Sequence, residues 1–226
     1  MAPSVLIVGA GGALGAALCA EFLGAGYRVV GMRRHADQGA PTEPRIVPCE
    51  LSDPCDVETV AQTLVREQGG IDVVVCNAAH LKIAPFAELE FADLEMSWLA
   101  AVGTTFGALR AVLPAMQARR RGAVILSGAT GSMRGSAGFA AFAAAKFALR
   151  GLAQALAREY DAHGIHVAHV VLDGILRGSE SARRFAKADA QCIEPRAVAA
   201  LYRQLAEQPP QAWTHEADVR PRGEKF

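Results

Sequence analysis

The chain has 226 residues and balances 23 basic against 23 acidic side chains, a formal charge of zero. That removes the long-range attraction a nucleic-acid or anionic-membrane partner would exploit. Apolar residues make up 51% of the chain, enough for a sizeable core in one α/β unit of this length. No run is expected to approach the roughly 18 apolar residues needed to span a bilayer.

The N-terminus passes from Met1-Ala2-Pro3-Ser4 straight into an apolar segment, so no signal peptide is expected. Val5-Leu6-Ile7-Val8 predicts a buried strand, and residues 16–23 predict a helix. Between them lie Gly9, Gly11, Gly12 and Gly15, with Leu14 where a G-x-G-x-x-G pattern would place its third glycine. The spacing is nearer G-x-x-x-G-x-G with Ala13 in the middle slot. A strand that turns through glycines into a helix offers free backbone N–H groups and a positive dipole end to an anion, the basis of a pyrophosphate site. Residues 28–32 predict a second strand ending at Arg33-Arg34. Two guanidinium groups there, in place of an acid, favour the 2′-phosphate of NADP over the free ribose of NAD.

Gly39, Pro41 and Pro44 predict a loop or one short turn before a third strand over residues 45–48. Asp53 is the expected N-cap of a helix whose first turn holds Pro54, and Gly69-Gly70 end it. Residues 71–76 predict the fourth strand, leading into Asn77-Ala78-Ala79-His80. Residues 93–101 and 103–119 predict helices, and 123–127 the fifth strand. Residues 128–138 form a glycine- and serine-rich loop. Residues 139–160 predict a long helix broken only at Gly151, and 165–172 the sixth strand. Residues 179–190 predict a polar helix suited to a lid, within a lid region over 177–192. Residues 195–207 predict the last helix, and the tail, 211–226, a final strand.

Strands that alternate with helices of this length must pair in parallel. The expected fold is therefore one α/β domain over residues 1–226, a doubly wound Rossmann-type parallel sheet of about seven strands with helices on both faces. Ligands in such sheets bind at the carboxyl ends of the strands. There the sequence places residues 9–15, 77–79, 127–130 and 173–174, which should meet at one site. The five cysteines, Cys19, Cys49, Cys55, Cys76 and Cys192, lack C-x-x-C spacing. They suit free thiols in a reducing cytoplasm and give no metal site.

Along almost its whole length the chain resembles the short-chain dehydrogenase/reductase family. The carriers are the glycine turn, Cys49-Glu50-Leu51-Ser52-Asp53, Asn77-Ala78-Ala79, Arg110-Ala111-Val112-Leu113-Pro114-Ala115-Met116 and Ala143-Ala144-Ala145-Lys146, in that order. The resemblance implies that Glu50 and Leu51 neighbour the adenine and that Asn77, Ala78 and Ala79 steady the central sheet. It places Lys146 on the nicotinamide ribose and Gly174 and Ile175 beside the coenzyme. It implies hydride transfer between a nicotinamide and a carbonyl or alcohol carbon, with NADP(H) expected rather than NAD(H), and a small-molecule substrate. It further implies a homodimer or homotetramer built through helices 103–119 and 139–160.

At the family's proton-handling positions the sequence departs. Phe142 stands four before Lys146 where the family has tyrosine, and the serine slot falls on Gly128 or Ala129. The asparagine slot falls on Ala101, Asp173-Gly174 replaces proline-glycine, and Ala13 sets a methyl where backbone would meet phosphate. Tyr27, Tyr160 and Tyr202 are expected to lie too far away to substitute. Ser127, Thr130, Ser132, His80 and Asp173 are the remaining candidate proton donors, with Lys146, Thr130 and Ser127 foremost as catalytic candidates. Three readings stay open: an atypical NADP(H)-dependent carbonyl reductase, a reductase of C=C or C=N bonds whose proton comes from substrate or water, and a coenzyme-binding sensor or structural protein without catalysis.

Overall fold

The computed structural model describes residues 2–35 and 44–224. The loop expected between the second and third strands lies mostly outside the described residues. Seven strands form one parallel sheet: β1 (Ser4–Val8), β2 (Arg28–Arg33), β3 (Arg45–Pro48), β4 (Val73–Cys76), β5 (Gly122–Ser127), β6 (Ile165–Leu172) and β7 (Glu216–Val219). Their order is β3-β2-β1-β4-β5-β6-β7. The chain winds outward from β1 to one edge, returns to β4 beside β1, and winds out the other way. The reversal between β1 and β4 opens a crevice at their carboxyl ends.

The central strands are apolar on both faces because both faces are covered. One face packs Leu6, Val8, Val74 and Leu126 against α2 (Pro54–Gln68), α4 (Thr104–Arg119) and α5 (Ala140–Tyr160). The other packs Val5, Ile7, Val75 and Ile125 against α1 (Gly12–Gly24) and α7 (Pro195–Ala206). The expected doubly wound sheet is the architecture found.

Local chemistry sets the helix ends. Asp53 accepts from the Cys55 and Asp56 amides at 2.9 and 3.3 Å, Pro54 opens α2, and Gly69 closes it in the left-handed region. Three expectations need correction. α1 begins at Gly12, four residues before the apolar pattern, because the glycine turn tightens directly into the helix. Gly151 does not break α5, since a glycine deep in an alanine-rich helix costs only about 1 kcal/mol. The polar helix expected over residues 179–190 is a five-residue helix, α6 (Glu180–Arg184), capped by Ser179, followed by a 3-10 turn at Asp189–Gln191. α6 stops where Ala186 turns to a φ of 46°.

The helices flanking residue 103 run on continuously. α3 (Phe91–Trp98) joins α4 through a π-helical turn, Leu99–Gly103. A turn this wide shifts the backbone ladder by one residue, so that the Thr104 amide donates to the Leu99 carbonyl, and two hydroxyls add to it. The Thr104 hydroxyl shares its one proton between the Leu99 carbonyl, at 3.0 Å, and the Leu51 carbonyl, and the Thr105 hydroxyl donates to the Ala101 carbonyl at 2.7 Å. The Phe91–Arg119 segment is, against expectation, long and apolar enough to cross a membrane by length and composition. Some 61% of its apolar stretch is buried within this protein, which is how a core helix passes the same test.

Candidate active site

The glycine turn is fixed from three sides. The Gly9 and Ala10 amides both donate to the Met32 carbonyl at 3.0 Å, so the turn is pinned to the end of β2. Asn77 Nδ2 donates to the Gly9 carbonyl at 2.9 Å. Gly9 sits at a φ of 92°, and a Cβ there would lie 2.6 Å from the Ala78 amide nitrogen. Gly15 lets α1 rest on the turn, since a Cβ would stand 2.4 Å from the Ala10 carbonyl carbon. Gly15→Ala should therefore lower stability by about 1–3 kcal/mol through backbone displacement, read as a fall in the urea midpoint at unchanged slope.

Gly11 precedes α1 without a side-chain cap, and the first turn of α1 holds no acid. Gly11, Gly12, Ala13 and Leu14 line a cleft of about 670 Å³ at the carboxyl edge of the sheet. The same cleft is lined by Asn77 and Ala79 after β4, Ser127 to Gly131 after β5, and Gly174, Ile175 and Leu176 after β6. The four strand-end loops expected to meet do meet here. Gly9, Gly15 and Ala78 stand behind the lining and shape it.

Ser127 ends β5 at the floor. Its Oγ donates to Asn77 Oδ1 at 3.0 Å and accepts from the Tyr202 hydroxyl at 2.9 Å. Tyr202, on α7, is fully buried, and burial pushes its phenol well above the usual range. Tyr202 does not line the cleft, in keeping with the expectation that it cannot substitute for the missing tyrosine, but its hydroxyl supports the floor from below. Lys146 on α5 donates from Nζ to the Ser127 carbonyl at 2.7 Å. Its side chain is buried, which pushes its pKa down to about 8. The Phe142 ring, one helical turn earlier, has its centroid 5.8 Å from Nζ.

Thr130 begins the 3-10 turn Thr130–Ser132 and donates to Asp173 Oδ1 at 2.7 Å. Asp173 is buried and paired with Arg134 at 3.1 Å, with Arg220 3.8 Å away. Ser132 is buried and accepts from the Ala129 amide at 3.2 Å, closing that turn. Behind Gly128 lies fully buried His169, whose Nδ1 is 3.1 Å from Glu216 Oε2. Arg150 grips the same carboxylate with two bonds of 2.7 Å. Burial lowers the imidazole pKa, against the pull of Glu216.

Other sequence candidates stand apart from the cleft lining. Arg33 ends β2 beside the turn and Arg34 follows it, and His80 follows the Asn77 segment, half-buried. Glu50 accepts from the Ser52 amide and hydroxyl, which holds its carboxyl below the usual range. Leu51 packs on the core and takes a bond from Thr104 at its carbonyl. The rest of the lining is largely apolar, with Leu81, Phe139, Leu176 and Phe185 around Phe142. Arg134, Lys187 and Glu224 add charge. Sequence reasoning did not pair Asp173 with Arg134 and Arg220, nor foresee His169. The only signal was their placement at or near the end of β6.

Comparison with known proteins agrees with this geometry. Residues 3–177 match the family model described as short chain dehydrogenase. A short-chain dehydrogenase from Rhodopseudomonas palustris superposes with a TM-score of 0.82 at 31% identity, over 97% of this chain and 98% of that one. A metagenomic short-chain oxidoreductase solved in complex with NADP gives 0.83 at 26% identity, over 97% and 96%. The 3-oxoacyl-(acyl-carrier-protein) reductase of Salmonella typhimurium is 29% identical over 181 residues, 76% of this chain and 72% of that protein. Against a short-chain dehydrogenase/reductase of Armillaria gallica the match spans 46% of the relative's length. The chain belongs to the short-chain dehydrogenase family of oxidoreductases.

Proposed function

We propose that this protein is an NADP(H)-dependent reductase of small apolar carbonyl compounds that works without the family's tyrosine. The observation that carries the reading is the convergence of two features on one cleft. The uncapped, acid-free N-terminus of α1 faces it from one side, and Lys146 opens into it from the other. The first suits a pyrophosphate and the second a pair of ribose hydroxyls. When bound, the coenzyme supplies the hydride; the chain binds it, orients the carbonyl and keeps water away.

Arg33 and Arg34, at the strand end next to the turn, suit a 2′-phosphate, and the metagenomic relative is described in complex with NADP. Phe142 occupies the family's tyrosine position and Gly128 or Ala129 its serine position, so neither can take the usual role. The Ser127 and Thr130 hydroxyls each already donate to a protein acceptor. Ser127 is accordingly read as a structural group of the floor and Thr130 as a tie to Asp173. Fluorescence titration with NADPH and NADH tests the reading. NADPH should bind at least about tenfold tighter, and Arg33→Ala with Arg34→Ala should erase the difference. Binding of neither coenzyme would overturn it.

The engaged hydroxyls and Phe142 also favour a second reading, a coenzyme-binding protein without turnover. NADPH binding with no consumption of any carbonyl would support that reading, and Phe142→Tyr should then restore activity.

The same proposal includes a homo-oligomer through α4 and α5. Phe106 on α4 and Phe147 on α5 are 53% and 45% exposed, and Trp98, at the end of α3, is 45% exposed. Such aromatic exposure suits a covered interface. Sedimentation velocity at micromolar concentration should show a dimer or tetramer, and Phe106→Glu with Phe147→Glu should yield monomer.

A further inference from the structure

The geometry points to Lys146 itself as the group that hands the final proton to the reacting oxygen, a task the family leaves to a hydroxyl. This rests on the coenzyme reading above. Elimination narrows the choice. Ser127 and Thr130 donate elsewhere, and Phe142 has no proton to give. Arg134 is committed to Asp173. Lys187 is exposed after α6, and Glu224 lies in the C-terminal segment. Among the described residues that line the cleft, Lys146 is the one titratable group that is buried and still opens into it.

Its bonding leaves it able to act. One N–H of Nζ is held by the Ser127 carbonyl, so two of the three remain for the cleft, one to span the ribose hydroxyls and one for the substrate oxygen. No carboxylate pairs with it among the described residues. The charged groups around it are accounted for. His169 on β6 faces Glu216 on β7, and Glu216 is gripped by Arg150 on α5. Asp173 at the end of β6 is committed to Arg134, Thr130 and Arg220. A buried ammonium without a counter-ion gives up its proton readily, and the pKa of about 8 expresses that.

The step balances with a dihydronicotinamide as reductant. The carbonyl carbon gains the hydride electron pair and the C=O π bond breaks. One N–H bond at Nζ breaks as the O–H bond forms, directly or through one water. The neutral amine then recovers a proton from solvent. The carbonyl is reduced and the nicotinamide oxidised.

The test uses the full chain with isatin and 1-phenyl-1,2-propanedione, aromatic carbonyls that suit the phenylalanine-lined cleft. Reduction needs the ammonium, so kcat should be flat below pH 8 and fall about tenfold per pH unit above it. Lys146→Arg keeps the charge but not the transferable proton. It should bind NADPH within about tenfold of the parent in a fluorescence titration, while kcat drops at least about 100-fold. Independently of turnover, acetic anhydride labelling of Lys146 followed by mass spectrometry should show a midpoint near pH 8, with labelling slowed by NADPH. Parent-like kcat in Lys146→Arg, a labelling midpoint above pH 10, or NADPH-bound protein that reduces neither probe would each overturn the assignment and leave the coenzyme reading standing. Failure to bind NADPH or NADH would instead remove that reading and this assignment with it.

Discussion

Ser127→Ala should cost about 2–4 kcal/mol, far more than the loss of one hydroxyl from an average position. The reason lies in what the change leaves behind. The Tyr202 hydroxyl, fully buried, loses the acceptor that Ser127 Oγ provides, and Asn77 Oδ1 loses its donor. Asn77 would still hold Gly9, but with its own carboxamide half satisfied. Tyr202→Phe removes the donor instead, leaves Ser127 bonded to Asn77, and should cost about 1 kcal/mol. The double variant should lie well short of the sum, because the orphaned phenol disappears. Urea denaturation of all three settles the point, and equal costs for the two single variants would contradict the network. In a chain of this size the difference between them corresponds to roughly 2–12 °C in Tm.

Lys146→Met should have the opposite sign and raise stability at neutral pH. The native fold carries a buried ammonium whose pKa has dropped from 10.5 to about 8. A group held below its unfolded value as a cation destabilises the fold in full wherever both states are protonated, that is, below about pH 8. The penalty shrinks as pH rises and is gone near 10.5, where the unfolded state also loses its proton. Its size is about 3 kcal/mol. The methionine leaves the Ser127 carbonyl without its lysine donor, which returns about 1 kcal/mol. A net gain of about 2 kcal/mol, or roughly 4–8 °C in Tm, is expected at pH 7. The gap between variant and parent should shrink from pH 8 upward and change sign before pH 10.5, where only the lost carbonyl bond remains. A gap that does not change with pH would mean that the lysine in the fold holds its proton as firmly as in the unfolded chain. Such a gain, alongside lost coenzyme affinity, is what a residue retained for function at the expense of stability should show.

The central strands were legible because each is a short apolar run bounded by glycine, proline or a charged pair, and the pattern has one solution as a parallel sheet. The meeting of four loops at one edge followed from that topology alone. What the sequence hid was the direction of side-chain bonds between distant residues. Ser127 and Thr130 look like available hydroxyls in a polar loop. Their partners Tyr202 and Asp173 lie 75 and 43 residues away, and no local pattern announces them. Gly151 misled for a related reason: a local helix breaker gave way to the packing of α5 on the sheet. The helix expected over residues 179–190 erred in the other direction. Residues with good helical propensity stop after one turn, and the strand-like contact between Leu176 and Ile193 holds the base of that segment.

The wide turn between α3 and α4 bears on how this chain can change over time. One residue more than a regular coil needs has been absorbed between Leu99 and Gly103, with the Thr104 and Thr105 hydroxyls bonding to carbonyls of the turn. Removing a single residue there would let the backbone relax into an ordinary spiral. It would also swivel everything upstream by about 100°, carrying Phe91 and Leu94 off the side of the molecule they now occupy. A gap at this point in a related sequence would therefore mark a different outer surface built on an unchanged coenzyme cradle.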